Sequence, residues 1–273
     1  MYKENNNIPI GLSNFVGVKY DVKPVSRSGY DRKDELGPLK KLCERASINL
    51  KTVKTPIYDV DEETKLVYIS KDQDKIEEAI KAEHKGDRNR IGSLLGYPSC
   101  CIDKFQEKLG KKDLLKELWK QKGETSYLMN TLYNFSGRKI PEKDSIKKHF
   151  ASSTFYLPHQ PCSLDCKKSL KMAKEIRNGL KKDFPEQEGS IRKKLQGTFL
   201  YFDDLNFATF TGRKTESGIA YDEVLTELSN IEDEKIMRAI DEGDNIIEDE
   251  GLHIRRGNDS ILNQEDGTTI FFE

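Results

Sequence analysis

The chain has 273 residues, 35% hydrophobic and 34% charged, with a mean hydropathy of −0.74. Its 46 basic and 47 acidic side chains leave a formal charge of −1, so no global field draws it to nucleic acid or to an anionic membrane. No apolar run approaches the ~20 residues of a membrane helix, and the 12 Phe and 11 Tyr recur along the whole chain, which argues against extended disorder.

Residues 1–30 combine several Asn, Gly and Pro with little periodicity and read as an irregular arm. Met1 to Asn7 carries no apolar leader segment, so a cytoplasmic location is expected. A short helical pattern spans 36–48, with Leu39, Leu42 and Cys43 on one side; Cys43 reads as a small core residue. Residues 56–60 and 66–70 are strand-like, and the polar stretch 61–65 between them predicts a hairpin. Helices are predicted at 73–85, ended by Gly86, and at 88–95, ended by Gly96-Tyr97-Pro98.

A further helix is predicted from Ser99 to about Leu109, with Cys101, Ile102, Phe105 and Leu109 as its apolar set. Two more are predicted at 112–121 and 126–135, before a basic linker at 137–148. A long helix is expected from Ser163 to Lys182, with Cys166, Leu170, Ala173, Ile176 and Leu180 buried and a Lys-rich exposed face. Residues 183–190 read as a linker. Beyond it, 198–211 suit two strands or one bent strand, 221–241 have helical spacing, and 252–254 and 269–272 read as short strands. The pattern predicts an α+β fold: a central helical region carrying both cysteine motifs, flanked by short antiparallel strands at both ends. Its divisions are the arm at 1–30, a cysteine-motif domain at 31–183 and a C-terminal α+β region at 190–273.

Four of the five cysteines fall in two clusters, Pro98-Ser99-Cys100-Cys101 and His159-Gln160-Pro161-Cys162-Ser163-Leu164-Asp165-Cys166. In a reducing compartment, clustered thiols read as metal ligands or redox groups rather than as disulfides. Ser99 is expected to cap one helix and Ser163 the other. Each cluster then sits in a first turn, where free N–H groups and the helix dipole stabilise a thiolate. Neighbouring helical residues diverge by about 100°, so Cys101 leans to the core and Cys100 to the open side. Cys166 falls on the apolar stripe of its helix and Cys162 at the helix entry. A Cys-x-x-x-Cys pair across a helix start can bring both sulfurs to one point. Four thiols suit tetrahedral zinc or an iron–sulfur cluster, with His159 as a fifth or substitute ligand. The spacing does not choose between the two.

Two alternatives stand beside the metal reading. One is a metal-free thiol enzyme of redox or transferase type, with Cys100 or Cys162 as nucleophile, His159 as base and a neighbouring cysteine resolving the intermediate. The other is a non-catalytic binding protein whose cysteines are core packing. No partner is named by the sequence. Asp203-Asp204 reads as a turn, the acidic stretch 232–250 as a solvated helix face, and the paired lysines of the middle region as solubilising charge. His84 and His149 read as exposed, and His253 as isolated. The chain has no Walker or dinucleotide-binding glycine pattern, no Gly-x-Ser-x-Gly and no His-Glu-x-x-His.

The runs Leu94-Leu95-Gly96-Tyr97-Pro98-Ser99-Cys100-Cys101-Ile102-Asp103-Lys104-Phe105 and His159-Gln160-Pro161-Cys162-Ser163-Leu164-Asp165-Cys166-Lys167-Lys168-Ser169 resemble the signature of an uncharacterised prokaryotic family, mainly archaeal, a domain of unknown function. The resemblance covers about residues 66–180. It implies that both cysteine segments belong to one domain, and it carries no activity with it.

Overall fold

A computed structural model describes residues 11–30, 36–56, 63–107, 155–159, 161–163, 166–195, 197–202, 206–224, 229–248, 251–264 and 267–272. The helices expected at 112–121 and 126–135, the linker at 137–148, His149 and Asp203-Asp204 lie outside the described residues. The chain divides into two compact units, one of residues 1–111 with 142–191 and one of 112–141 with 192–273. The fold is α+β, as the pattern predicts. Among the described residues no helix is long and apolar enough to cross a membrane.

The first unit is built on a three-stranded antiparallel sheet of β1 (Ser26–Gly29), β2 (Asn49–Pro56) and β3 (Glu63–Ser70), in the order β1-β3-β2. Its central strand is buried on both faces, which explains the unbroken apolar run from Leu66 to Ile69. Leu66 and Tyr68 join Ile76, Ala79 and Ile80 of α3 (Gln73–His84) and Ile91 and Leu94 of α4 (Arg88–Leu94) in one core. β2 and β3 pair antiparallel, but β2 spans Asn49–Pro56 and β3 starts at Glu63, inside the stretch read as the turn. Residues 57–62, most of the expected first strand and the start of that turn, lie outside the described residues.

The N-terminal segment is not an irregular arm. Residues 12–19 form helix α1 and residues 26–29 form strand β1. Helix α1 (Leu12–Lys19) escaped the sequence pattern because every residue from Leu12 to Val18 is buried. A helix enclosed on all sides has no polar face and so no amphipathic period. Helix α2 (Gly37–Arg45) buries Leu39 and Cys43, as its spacing predicts. Helix α5 (Ser99–Glu107) carries the first cysteine motif, and α6 (Lys167–Asp183) follows the second.

The segment read as a linker is helix α7 (Pro185–Leu195), separated from α6 by Phe184 alone. A proline suits a helix's first turn. The polar residues misled because Glu188 is buried: its carboxylate accepts from Arg177 Nε at 2.7 Å and from Tyr156 Oη at 3.0 Å.

The second unit is an eight-stranded antiparallel sheet with one described helix. Its strands are β4 (Gly197–Tyr201), β5 (Asn206–Thr215), β6 (Gly218–Val224), β7 (Asn230–Ile231), β8 (Asn245–Glu248), β9 (Leu252–Arg256), β10 (Asp259–Gln264) and β11 (Thr268–Phe272). The order is β10-β9-β8-β6-β5-β4-β11, with β7 beside β5. The helix expected over 221–241 is replaced by β6, β7 and the shorter α8 (Glu234–Glu242). Asn206 Oδ1 accepts from the Glu232 and Asp233 N–H groups, and the Asp233 side chain caps α8, which fixes the helix start. Ile236 and Ile240 of α8 pack on Phe210, Tyr221 and Ile254 of the sheet.

Helix α1 approaches α6 so closely that a Cβ on Gly179 would stand 2.5 Å from Val16 Cγ1 and 2.8 Å from Tyr20 Cδ2. Alanine is the better helix former by about 1 kcal/mol, whereas overfilling a packed contact costs about 1–3 kcal/mol. Gly179→Ala is therefore expected to lower stability by roughly 1 kcal/mol in chemical denaturation. A gain in stability would contradict the close approach of the two helices.

Candidate metal centre

The first cysteine motif is positioned by a chain reversal between two helices. Gly96, at φ 76°, follows the end of α4. Its N–H donates to the Ser93 carbonyl, and the Tyr97 N–H donates to the Gly92 carbonyl, both at 3.0 Å. This is the paired-bond helix stop that favours glycine in the left-handed region. A Cβ on Gly96 would meet Pro24 Cδ at 2.9 Å, so the residue has no room for a side chain either. The Pro98 carbonyl then accepts from Cys101 and Ile102 N–H, which makes Ser99 the first residue of α5 rather than its cap. Cys100 and Cys101 lie in the first turn, as expected.

The second motif ends differently from the prediction. Helix α6 begins at Lys167, not Ser163, and Cys166 is its N-cap residue, with its carbonyl accepting from Leu170 N–H at 2.9 Å. The Cys162 backbone N–H donates to Cys101 Sγ at 3.4 Å, which ties the two motifs together before any ion is considered.

The sulfurs of Cys100, Cys101, Cys162 and Cys166 all lie within 4.8 Å of one another. Cys100 Sγ is 4.0 Å from both Cys101 Sγ and Cys166 Sγ, and the latter two are 3.6 Å apart. Cys101 and Cys166 are buried; Cys100 and Cys162 are half-buried. The divergence of adjacent helical residues does not keep Cys100 and Cys101 from facing one point. Cys43 is buried and stands outside this group, and burial pushes its thiol up to about 12.

His159 is placed one hydrogen bond behind the sulfurs. Its Nε2 is 2.9 Å from Ser169 Oγ, which is 3.3 Å from Cys101 Sγ. Its Nδ1 is buried with no hydrogen-bond partner. The economical arrangement has Nε2–H donating to Ser169 and the Ser169 hydroxyl donating to sulfur, which leaves only a lone pair unsatisfied at Nδ1. The ring stacks on Tyr97, centroids 4.8 Å apart, and the Tyr97 hydroxyl donates to the Pro158 carbonyl at 3.3 Å. Lys23 also lies over the Tyr97 ring, fully buried, its Nζ 5.8 Å from the ring centroid and donating to Asn14 Oδ1 at 2.8 Å.

Tyr97 and Ser169 fall inside the two signature runs, which give them no role, and Lys23 carries no signal. Ser169 is one turn after Cys166 on the same helix, a spacing that would have flagged it once Cys166 was placed at the helix start.

Electrostatics within the cluster are uneven. Burial pushes Cys101 well above the usual thiol range, and burial with neighbouring thiols pushes Cys162 up to about 11. Burial also acts to raise Cys166, but the polar groups around it, Ser169 first and then the Cys101 and Cys162 thiols, outweigh it and bring the thiol down to about 7. Two thiolates 4 Å apart repel by about 4 kcal/mol at an effective dielectric near 20, so an empty cluster sheds its protons singly. A cation at the centre reverses the sign of that term.

Residues 64–195 match a family described as a protein of unknown function (DUF483). Over that stretch the chain is similar to an uncharacterised family, and both cysteine motifs fall inside it. No curated protein and no solved structure matches the chain. Lys23 and α1 precede the matched residues yet pack against the first motif and α6, so the compact unit extends beyond the match.

Burial, followed by the nearby Lys23 charge, brings His159 from 6.5 down to about 3. A depressed folded-state value means that the unfolded chain takes up the proton first. The stability His159 contributes is present above pH 6.5 and is lost as pH falls toward 3. In metal-free protein, His159→Phe is expected to flatten the acid limb of a stability-against-pH curve measured by urea unfolding. An unchanged slope would show that the imidazole is not held neutral.

Proposed function

We propose that this protein holds one tetrahedral zinc ion through the thiolates of Cys100, Cys101, Cys162 and Cys166. The observation that carries the reading is the sulfur spacing. Four sulfurs at about 2.3 Å from one zinc stand about 3.8 Å apart, and the sulfur–sulfur distances here are 3.6 and 4.0 Å with none beyond 4.8 Å. Thiolates that bind an iron–sulfur cluster sit on different irons and are spread more widely than ligands sharing one ion. The spacing therefore favours zinc over a cluster.

Four protein ligands close the zinc shell and leave no position for water, which is the pattern of a structural site rather than a hydrolytic one. The ion would join the starts of α5 and α6, which are far apart in sequence, and its binding energy would add to folding energy. His159 and Ser169 would act from outside the shell: the imidazole orients the hydroxyl, and the hydroxyl orients the Cys101 sulfur. A reducing compartment such as the cytoplasm would keep the thiols available.

Metal analysis of protein purified without added metal is expected to give one zinc per chain, falling to near zero in Cys101→Ser and Cys166→Ser. His159→Ala is expected to retain the ion at near-unit stoichiometry with affinity reduced about 10–100-fold, the usual effect of losing an outer-shell partner. Iron with inorganic sulfide would overturn the zinc reading. Loss of all metal from a folded His159→Ala protein would make the imidazole a ligand.

A further inference from the structure

The four sulfurs are not equivalent once their surroundings are compared. Cys101 Sγ receives the Cys162 N–H at 3.4 Å and has Ser169 Oγ at 3.3 Å. Cys166 Sγ lies 3.6 Å from Cys101 Sγ, at the inner side of the group. Both are buried. Cys162 is half-buried, with Ser163 Oγ at 4.0 Å. Cys100 is also half-buried, and among the described residues the polar contacts of its sulfur are with other thiol sulfurs.

A hydrogen bond to a thiolate draws electron density from the lone pair that would attack an electrophile. A coordinated cation keeps every sulfur deprotonated at neutral pH, so reactivity is then graded by access and by hydrogen bonding. Both grade the sulfurs in the same direction. The Cys162 backbone and Ser169 quiet Cys101, burial shields Cys166, and the half-buried side of the group is left with an unquenched sulfur.

Resting on the zinc reading, we propose that Cys100 is a metal-held nucleophile that accepts a carbon group from a small, soft alkylating agent at the open edge of the centre. The Cys100 sulfur lone pair forms the new S–C bond while the bond from carbon to the leaving group breaks. The leaving group departs with its electron pair. No oxidant or reductant takes part. The product is a neutral thioether, so the site loses one negative charge and one strong ligand. Alkylation at this position would thereby loosen the tie between α5 and α6.

The test is competitive labelling of the zinc-loaded protein with a limiting amount of iodoacetamide, read by tandem mass spectrometry that separates Cys100 from Cys101. Zinc content is measured on the same sample before labelling. Cys100 is expected to react at least about 10-fold faster than Cys101 and Cys166, as nucleophilicity and access both favour it. In Ser169→Ala, Cys101 is expected to speed up several-fold while Cys100 keeps its rate. A single common rate, a buried sulfur reacting first, or Cys162 leading would each overturn the assignment while leaving the zinc reading intact. A sample without zinc would overturn both.

Discussion

The feature on which the rest of the molecule's chemistry depends is the crowding of four sulfurs within 4.8 Å. Such crowding is tolerable in two ways only. Most of the group stays protonated, or a cation sits among the thiolates and turns repulsion into attraction. The surrounding structure is arranged for the second. Two helix starts converge on the sulfurs, so the free N–H groups of α5 and the N-cap of α6 offer positive potential. Donors from Ser169 and the Cys162 backbone are already aimed at sulfur.

Behind the sulfurs the packing is polar and buried. His159 and Lys23 both lie against the Tyr97 ring, and Lys23 fills a space that Gly17 leaves open, since a Cβ there would stand 2.9 Å from the Lys23 side chain. Beside it Arg27 pairs with Glu83, whose carboxylate also accepts from Tyr68 Oη at 2.9 Å. Burial pushes Lys23 well below its ordinary value, and the Arg27 charge adds to that. This layer links the N-terminal segment to the cysteine motifs, so α1 and β1 are part of the domain that presents the thiols.

Much of the site could be read directly. The Gly-Tyr-Pro-Ser-Cys-Cys run states its own geometry: glycine ends one helix, proline starts the next, and the thiols fall in the first turn. The division of buried Cys101 from half-buried Cys100 also follows from helical phase, whereas Cys162 precedes α6 and owes its half-buried place to the turn before the helix. The place of His159 did not, because a histidine near cysteines in sequence gives no sign of which atom lies between them in space; here it is the Ser169 hydroxyl. In the fold, the errors share a cause. Helix α1 is buried on all sides and α7 holds a buried Glu188, so each departs from the amphipathic pattern that sequence reading relies on. The residues before α8 suggested a helix because apolar spacing in short strands of a large sheet can imitate a period of 3.6.

X-ray absorption at the metal edge of the purified protein tests the central claim most directly. A single shell of four sulfurs at about 2.3 Å, with no metal–metal scattering, is the result that one tetrahedral tetrathiolate zinc requires. A mixed shell with a nitrogen at about 2.0 Å, a metal–metal vector, or no bound metal at all would contradict it.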